Sequence, residues 1–203
     1  TLTVAPEAGT ERLRQVIRKS ISDEQILGAC DMLRRHGIPN LKCYFMIGQP
    51  TETMEDVEAI PELAARMLVR LRALDPSGKP FGRLTLSISS FVPKPWTPFQ
   101  WARFDGATSL QKKLEVIKHG ARPLGTVRVL HENPREAALQ ALLARGARRV
   151  AEFLELAAGF EGDWRRALRE WDGDAEFYTT RARSSDERFP WEHFDVGVKR
   201  AGL

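Results

Sequence analysis

The chain has 203 residues, 42% hydrophobic and 29% charged, with a formal net charge of +4. That length suits one domain or one and a half, the composition is that of a globular protein, and no apolar run approaches the roughly 20 residues of a membrane-spanning helix. Residues 1–104 hold 14 basic and 11 acidic side chains and residues 105–203 hold 17 and 16, with no basic tail, so the charge does not point to a nucleic-acid partner.

Thr1–Ala5 reads as a first strand, so the chain is expected to begin inside a folded unit. It is followed by Pro6-Glu7-Ala8-Gly9 and a helix near Thr10–Arg18. A second helix starts at Ser22, with Gln25 placed for a capping box; Ile26, Cys30 and Leu33 form its apolar face, and Gly37 and Pro39 end it. The second strand, Leu41–Ile47, has only Lys42 charged, which predicts burial on both faces of a parallel sheet. It enters Gly48-Gln49-Pro50-Thr51-Glu52, after which Thr53 and Asp56 cap the next helix; Pro61 inside that helix is expected to kink or end it. Asp75-Pro76-Ser77-Gly78-Lys79-Pro80 reads as a loop, and Leu84–Phe91 as a third strand in which Leu84, Leu86 and Ile88 alternate with Thr85, Ser87 and Ser89. Beyond it the pattern turns mostly helical, near 108–121, 134–145 and 147–158, with one short strand at Thr126–Leu130. Trp164, Trp171 and Trp191 are expected to pack a small core.

These elements predict an α/β fold: a partial (β/α) barrel over residues 1–104, followed by a helical extension over 105–203. A closed eight-unit barrel needs about 250 residues. Ligands of parallel α/β folds bind at the carboxyl ends of the strands. All three ends here are polar or rich in Gly and Pro: Glu7 beside Gly9, the Gly48–Glu52 turn, and Phe91-Val92-Pro93-Lys94-Pro95. Spacing alone gives a ligand site and plain tight turns equal weight. Cys30 and Cys43 have no neighbour at metal-ligand spacing and are expected to be buried structural thiols. His36, His119, His131 and His193 are scattered, and no P-loop, dinucleotide fingerprint or catalytic triad order appears.

Thr3–Arg14 resembles the fourth-strand segment of radical S-adenosylmethionine (SAM) proteins, and Tyr44–Thr53 with Glu55-Asp56 resembles their fifth. Ser90–Trp101 resembles the sixth-strand exit of a subgroup with cobalamin-domain-associated and methylthiotransferase-like members. Arg145–Arg149 and Pro190–His193 resemble later landmarks of an uncharacterised branch of it. The resemblance implies the last three of six βα units. It places a polar SAM contact at Glu7 beside Gly9, a partner for the SAM carboxylate at Arg12, and an adenine wall at Phe45, Ile47, Gly48, Gln49 and Pro50. Glu52 is implied as a loop organiser, with Phe91 at the third strand end. Two positions depart from the pattern, Gln49 for an apolar residue and Ala147 for an acid.

The resemblance further implies that an intact parent cleaves SAM reductively at a 4Fe-4S cluster to give a 5′-deoxyadenosyl radical, with cluster ligands outside this chain. This chain alone is then expected to be inactive. Its expected partners are the missing N-terminal half of the barrel and a substrate among RNA, protein or small molecules, in the cytoplasm and away from membranes. The alternatives are a non-catalytic remnant that binds a partner through an exposed sheet edge at Thr1–Ala5, and an ordinary α/β enzyme whose loops mimic the family.

Overall fold

The structure, a computed structural model, describes residues 1–73 and 81–203; the loop expected at Asp75–Pro80 lies outside the described residues. The chain forms two compact units, residues 1–91 with 108–133 and residues 92–107 with 134–203.

The first unit is built on four parallel strands in the order β1 (Leu2–Glu7), β2 (Asn40–Ile47), β3 (Arg83–Ser90) and β4 (Val127–His131). Between them run α1 (Glu11–Val16), α2 (Asp23–Arg35), α3 (Met54–Ala73) and α4 (Ala107–Ala121). The sequence reading placed α4 and β4 in the helical extension. Instead, Leu84, Leu86 and Ile88 of β3 pair in register with Val127, Val129 and His131, so β4 continues the sheet. A strand of only five residues gives too short a period-2 signal to assign to a sheet from sequence. The sheet is α/β and parallel as expected, with β1 and β4 as its edges among the described residues.

Capping drives the helices as the sequence indicates. Ser22 accepts from the Gln25 amide at 3.2 Å, and the Gln25 side chain accepts from the Ser22 amide at 2.9 Å. Pro61 does not end its helix, since α3 runs from Met54 to Ala73 through it. Proline removes one amide donor, and here the ring is buried where α4 passes so closely that a Cβ on Gly120 would lie 2.6 Å from Pro61 Cγ. Tertiary packing thus offsets the single lost hydrogen bond.

β2 departs from the expectation of burial on both faces. Leu41, Cys43, Phe45 and Ile47 are buried, but Tyr44 is 39% exposed, and Lys42 and Met46 are only partly covered. The same alternation continues through the register: Phe45 faces Ile88 and Cys43 faces Leu86 on the buried side, whereas Tyr44 faces Ser87 and then Leu130 on the other. The apolar stripes of α2, α3 and α4 (Ile26, Cys30 and Leu33; Ile60, Leu63 and Met67; Leu110, Leu114 and Ile117) supply the cover for one side only. The apolar residues at 44 and 46 suggested a second covered face, which the described residues of this unit do not provide. Cys30 and Cys43 meet in this core as free thiols, as expected. Burial, with a smaller effect of neighbouring charge, pushes each up to about 12.

The second unit is helical: α5 (Pro134–Arg145), α6 (Val150–Gly159), α7 (Trp164–Glu170) and α8 (Ala175–Thr179). The helix expected at 147–158 starts later, because Ala147–Arg149 forms a turn, and the short α7 and α8 fall below the length a periodic pattern can reveal. The tryptophans do pack cores. Trp171 joins Leu142, Val150, Phe153 and Ala167, with Trp164 against them. Trp191 stacks on Phe189 at 4.7 Å and donates its indole N–H to Gln100 Oε1 at 3.0 Å. Arg145, first residue of the resemblance's later landmark, is 1% exposed and donates to the Thr179 carbonyl at 2.9 Å. Burial and the nearby Arg183 and Arg181 push its guanidinium down to about 10.

Candidate functional site

The carboxyl ends of β1 and β2 lie side by side in the first unit. β1 does not stop at Ala5 but continues to Glu7, with a register shift against β2 between Val4 and Glu7. The shift leaves Glu7 at φ 70°, a left-handed conformation that costs a non-glycine residue about 1–3 kcal/mol and persists only where neighbours over-determine it. Here they do: the Glu7 carbonyl accepts from Gln49 Nε2 at 2.9 Å, and its carboxylate pairs with Lys19 Nζ at 2.9 Å. One residue on, the Ala8 carbonyl accepts from Arg14 at 3.0 Å. Arg14 is fully buried, is ion-paired to Asp23, and also donates to the Ile21 carbonyl at 2.8 Å.

Gly9 is a close-approach glycine, but its neighbour is a helix. A Cβ there would lie 2.4 Å from the Asp56 carbonyl oxygen and 2.8 Å from the Ile60 amide nitrogen, both backbone atoms of α3. Thr10 then caps α1, accepting from the Leu13 amide at 3.2 Å, and its hydroxyl donates to the Asp56 carboxylate. Asp56 also accepts from the Thr53 amide at 2.8 Å, from the Thr53 hydroxyl at 3.0 Å, and from Arg12. Burial acts to raise this carboxyl, but the hydrogen bonds from Thr10, Thr53 and Arg12 outweigh it and hold the group below the ordinary carboxylate range.

The β2 turn is equally tied. The Ile47 carbonyl accepts from the Phe91 amide at 2.8 Å, so the third strand end fixes one side of the Ile47–Gly48 peptide. Gly48 takes φ 82°, and its amide donates to Glu52 Oε2 at 2.7 Å, which fixes the other side. Lys113 of α4 meets the same carboxylate oxygen at 2.6 Å, with side-chain exposures of 10% for Lys113 and 2% for Glu52. Gln49 is 4% exposed; its Nε2 also donates to the Met46 carbonyl at 3.0 Å, while its buried Oε1 has no hydrogen-bond partner. Pro50 is half-buried, and Thr51 beyond it is left-handed, with φ 66°. The Thr51 carbonyl accepts from Arg12 at 3.0 Å.

The structure therefore brings Glu7, Gly9, Arg12, Gly48, Gln49 and Glu52 into one set of joined loops, with Phe91 attached through its amide. Arg12 is engaged with Thr51 and Asp56, and half its side chain remains exposed. Phe45 and Ile47 stand apart: both side chains are fully buried on the helix-covered face, so only their backbone reaches the site. The side chains presented on the uncovered face are Lys42, Tyr44 and Met46, with Lys42 Nζ 4.5 Å from the centre of the Tyr44 ring. Lys94 belongs to the second unit.

Sequence reasoning missed Arg14 and Lys113, and took Asp56 only as a cap. No local pattern marks Arg14, since α1 (Glu-Arg-Leu-Arg-Gln-Val) carries a second arginine and only two apolar residues. Nothing local marks Lys113, since its partner is 61 residues away. Among the described residues no three His, Cys, Asp or Glu side chains converge to hold a metal ion, and no helix is long and apolar enough to cross a membrane.

Residues 1–64, which contain β1, β2 and both turns, match the family model described as the Radical SAM superfamily. An uncharacterised protein of Methanocaldococcus jannaschii is 36% identical over 155 residues, an alignment that covers 76% of this chain and 32% of that protein. The chain thus spans about a third of the length of that relative. No solved structure matches it significantly. Of the segments that carried the resemblance, Thr3–Arg14 and Tyr44–Asp56 lie within the matched residues, whereas Ser90–Trp101, Arg145–Arg149 and Pro190–His193 lie outside them, so the similarity to the Radical SAM superfamily is that of residues 1–64.

Proposed function

We propose that this chain supplies the SAM-binding ends of two strands to a radical SAM enzyme. The observation that carries the reading is the pairing of two strained, left-handed strand ends, Glu7 and Gly48–Thr51, stitched together by Gln49 within the segment that matches the family. Left-handed non-glycine residues cluster at ligand clamps, where the scaffold holds them in place.

The donor set fits SAM better than it fits a cluster. SAM carries ribose hydroxyls, an amine and an ammonium group, all hydrogen-bond donors, and the strand ends offer acceptors: the Glu7 carboxylate and the unpartnered Gln49 Oε1. Met46 and Tyr44 on the uncovered face add apolar surface for a base. For iron, the described residues offer no converging thiolates, and both cysteines are buried with raised pKa values, so the described residues do not fit a cluster. Bound SAM would bring a sulfonium whose C–S bond can be cleaved reductively. This chain's own contribution is to orient it, with Glu7 and Gln49 as polar contacts and the Ile47–Gly48 peptide as a fixed wall.

The test is SAM binding to the full-length protein, measured calorimetrically for the wild type and for Glu7→Ala and Gln49→Leu. Losses of about tenfold, which is about 1.4 kcal/mol, are expected in each. Unchanged affinity in both variants sinks the site assignment.

A second reading has its own support. The uncovered sheet face carries Tyr44 and Leu130, 39% and 37% exposed, and a further part of the polypeptide or a partner chain would cover them. An N-terminal barrel half is the cover the first reading calls for, and a non-catalytic module would use the face for another protein. SAM binding with these residues favours the first; a partner that protects Tyr44 without any SAM binding favours the second.

A further inference from the structure

We infer that Lys113 is a positioning residue for the proposed SAM site, acting from α4 through Glu52 on the Ile47–Gly48 peptide. The inference rests on the reading that this turn holds the cofactor, but the mechanical link is visible without it.

Both polar groups of the Ile47–Gly48 peptide are committed. Its carbonyl accepts from the Phe91 amide at 2.8 Å, and its N–H donates to Glu52 Oε2 at 2.7 Å. The orientation of the peptide plane therefore follows the position of the Glu52 carboxylate. Glu52 is a free-swinging side chain in principle, with three rotatable bonds, but here it is 2% exposed and held at 2.6 Å by Lys113, itself 8% exposed as a residue. The ammonium and the Gly48 amide meet at one carboxylate oxygen, so the cation fixes the acceptor that the amide uses. Removing Lys113 takes away the ammonium that holds this carboxylate oxygen in place, and the loss of a partner from a buried charge pair is strongly destabilising to the arrangement it held. The Glu52 carboxylate would then swing outward and release the Gly48 amide. Gly48 sits at φ 82° three residues before the left-handed Thr51, and a glycine has other accessible conformations once the bond is gone.

The consequence is that the geometry of a turn in the family-matched segment is set by a helix that lies outside residues 1–64. Lysine suits the task because a compact ammonium can bring its charge to one oxygen; an arginine keeps the charge but spreads it over a wider fork.

The experiment has two readouts on the full-length protein, with wild type, Lys113→Met and Lys113→Arg. Hydrogen exchange of the peptide spanning residues 46–52, followed by mass spectrometry, reads the clamp with no ligand present. Calorimetric titration with SAM reads the site. Exchange of that peptide is expected to rise at least tenfold in K113M, and SAM affinity to fall at least tenfold, with K113R recovering most of both. Protection of the β3 and β4 strands should be unchanged in K113M, which separates a local release from loss of the fold. Unchanged exchange at residues 46–52 in K113M overturns the clamp. Faster exchange with unchanged SAM affinity, in a protein where Glu7→Ala does weaken binding, overturns the positioning role and leaves a purely structural ion pair. Absence of SAM binding in the wild type overturns the cofactor reading and the ligand role of Lys113 with it, while the exchange result still decides the clamp.

Discussion

Gly9→Ala tests the account of the first strand end most directly, because the geometry gives the answer before the experiment. Gly9 is not in the left-handed region, so alanine can adopt its backbone conformation, and in open space the change would stabilise by about 0.4–1 kcal/mol through the unfolded state. The space is not open. The new methyl would lie 2.4 Å from the Asp56 carbonyl oxygen, 2.8 Å from the Ile60 amide nitrogen and 2.9 Å from the Ala59 carbonyl carbon. All three are backbone atoms of the first turns of α3, so no side chain can rotate away and the helix start must move. Overpacking of this kind costs about 1–3 kcal/mol, and moving α3 also disturbs the Asp56 carboxylate that ties Thr10 and Arg12; a net loss of about 2 kcal/mol follows. All five tryptophans lie in the second unit, so fluorescence is blind to this change. Native-state hydrogen exchange is the suitable assay: amides of β1 and α3 should exchange about thirtyfold faster, and those of α5 and α6 at the wild-type rate. A change below about 0.5 kcal/mol would refute the view that Gly9 is dictated by the approach of α3.

Three further outcomes follow from the same structure. Asp56 has its folded pKa below the unfolded value, so its contribution is present above the unfolded carboxylate range and is lost as pH falls through the depressed folded value; Asp56→Asn should cost about 2 kcal/mol at neutral pH and flatten the acid limb of a circular-dichroism titration, and an acid limb identical to wild type would contradict this. Cys30 and Cys43, with thiols near 12, should react with an alkylating reagent at pH 8 roughly a thousandfold more slowly than a free thiol until the unit unfolds, and rapid labelling of the native protein would contradict their burial. Phe45→Ala should cost about 3–5 kcal/mol and Tyr44→Ala under about 1 kcal/mol in urea unfolding monitored by circular dichroism, and the reverse order would mean that the covered face of β2 has been misassigned.

The sequence was most informative where structure is set locally. The capping box at Ser22 and Gln25, the Thr53–Asp56 cap and the alternation in β3 depend on residues within four positions of one another, and each forms as expected. The carboxyl ends of the strands were also legible as a region, because Gly, Pro and Glu cluster there. The use of individual residues was not. Arg12 faces Thr51 and Asp56 across 39 and 44 positions, and Lys113 reaches Glu52 across 61; no periodicity encodes such pairs. Gln49 looked like a departure from an apolar position, and its purpose emerges only when β1 is seen to bulge, so that the Glu7 carbonyl needs a donor from the neighbouring strand.

The direction of β2 side chains carries the most consequence for function. A strand presents successive residues to opposite faces, so a run such as Cys43-Tyr44-Phe45-Met46-Ile47 cannot offer all its apolar groups to one ligand. Phe45 and Ile47 are committed to the helix-covered core, where they anchor the strand; Tyr44 and Met46 face the other way, beside Ser87 and Ser89 of β3. A ligand at the carboxyl end of this sheet would therefore meet a base-sized surface of Tyr44 and Met46 from the face, and the backbone of Ile47 and Gly48 from the end. The two sets respond to mutation in different ways. Changes at 45 and 47 act through stability, whereas changes at 44 and 46 leave the fold in place and act on whatever covers the open face. Binding measurements on Met46→Ala would thus report on the site itself, and the same measurement on Ile47→Ala would report on the scaffold.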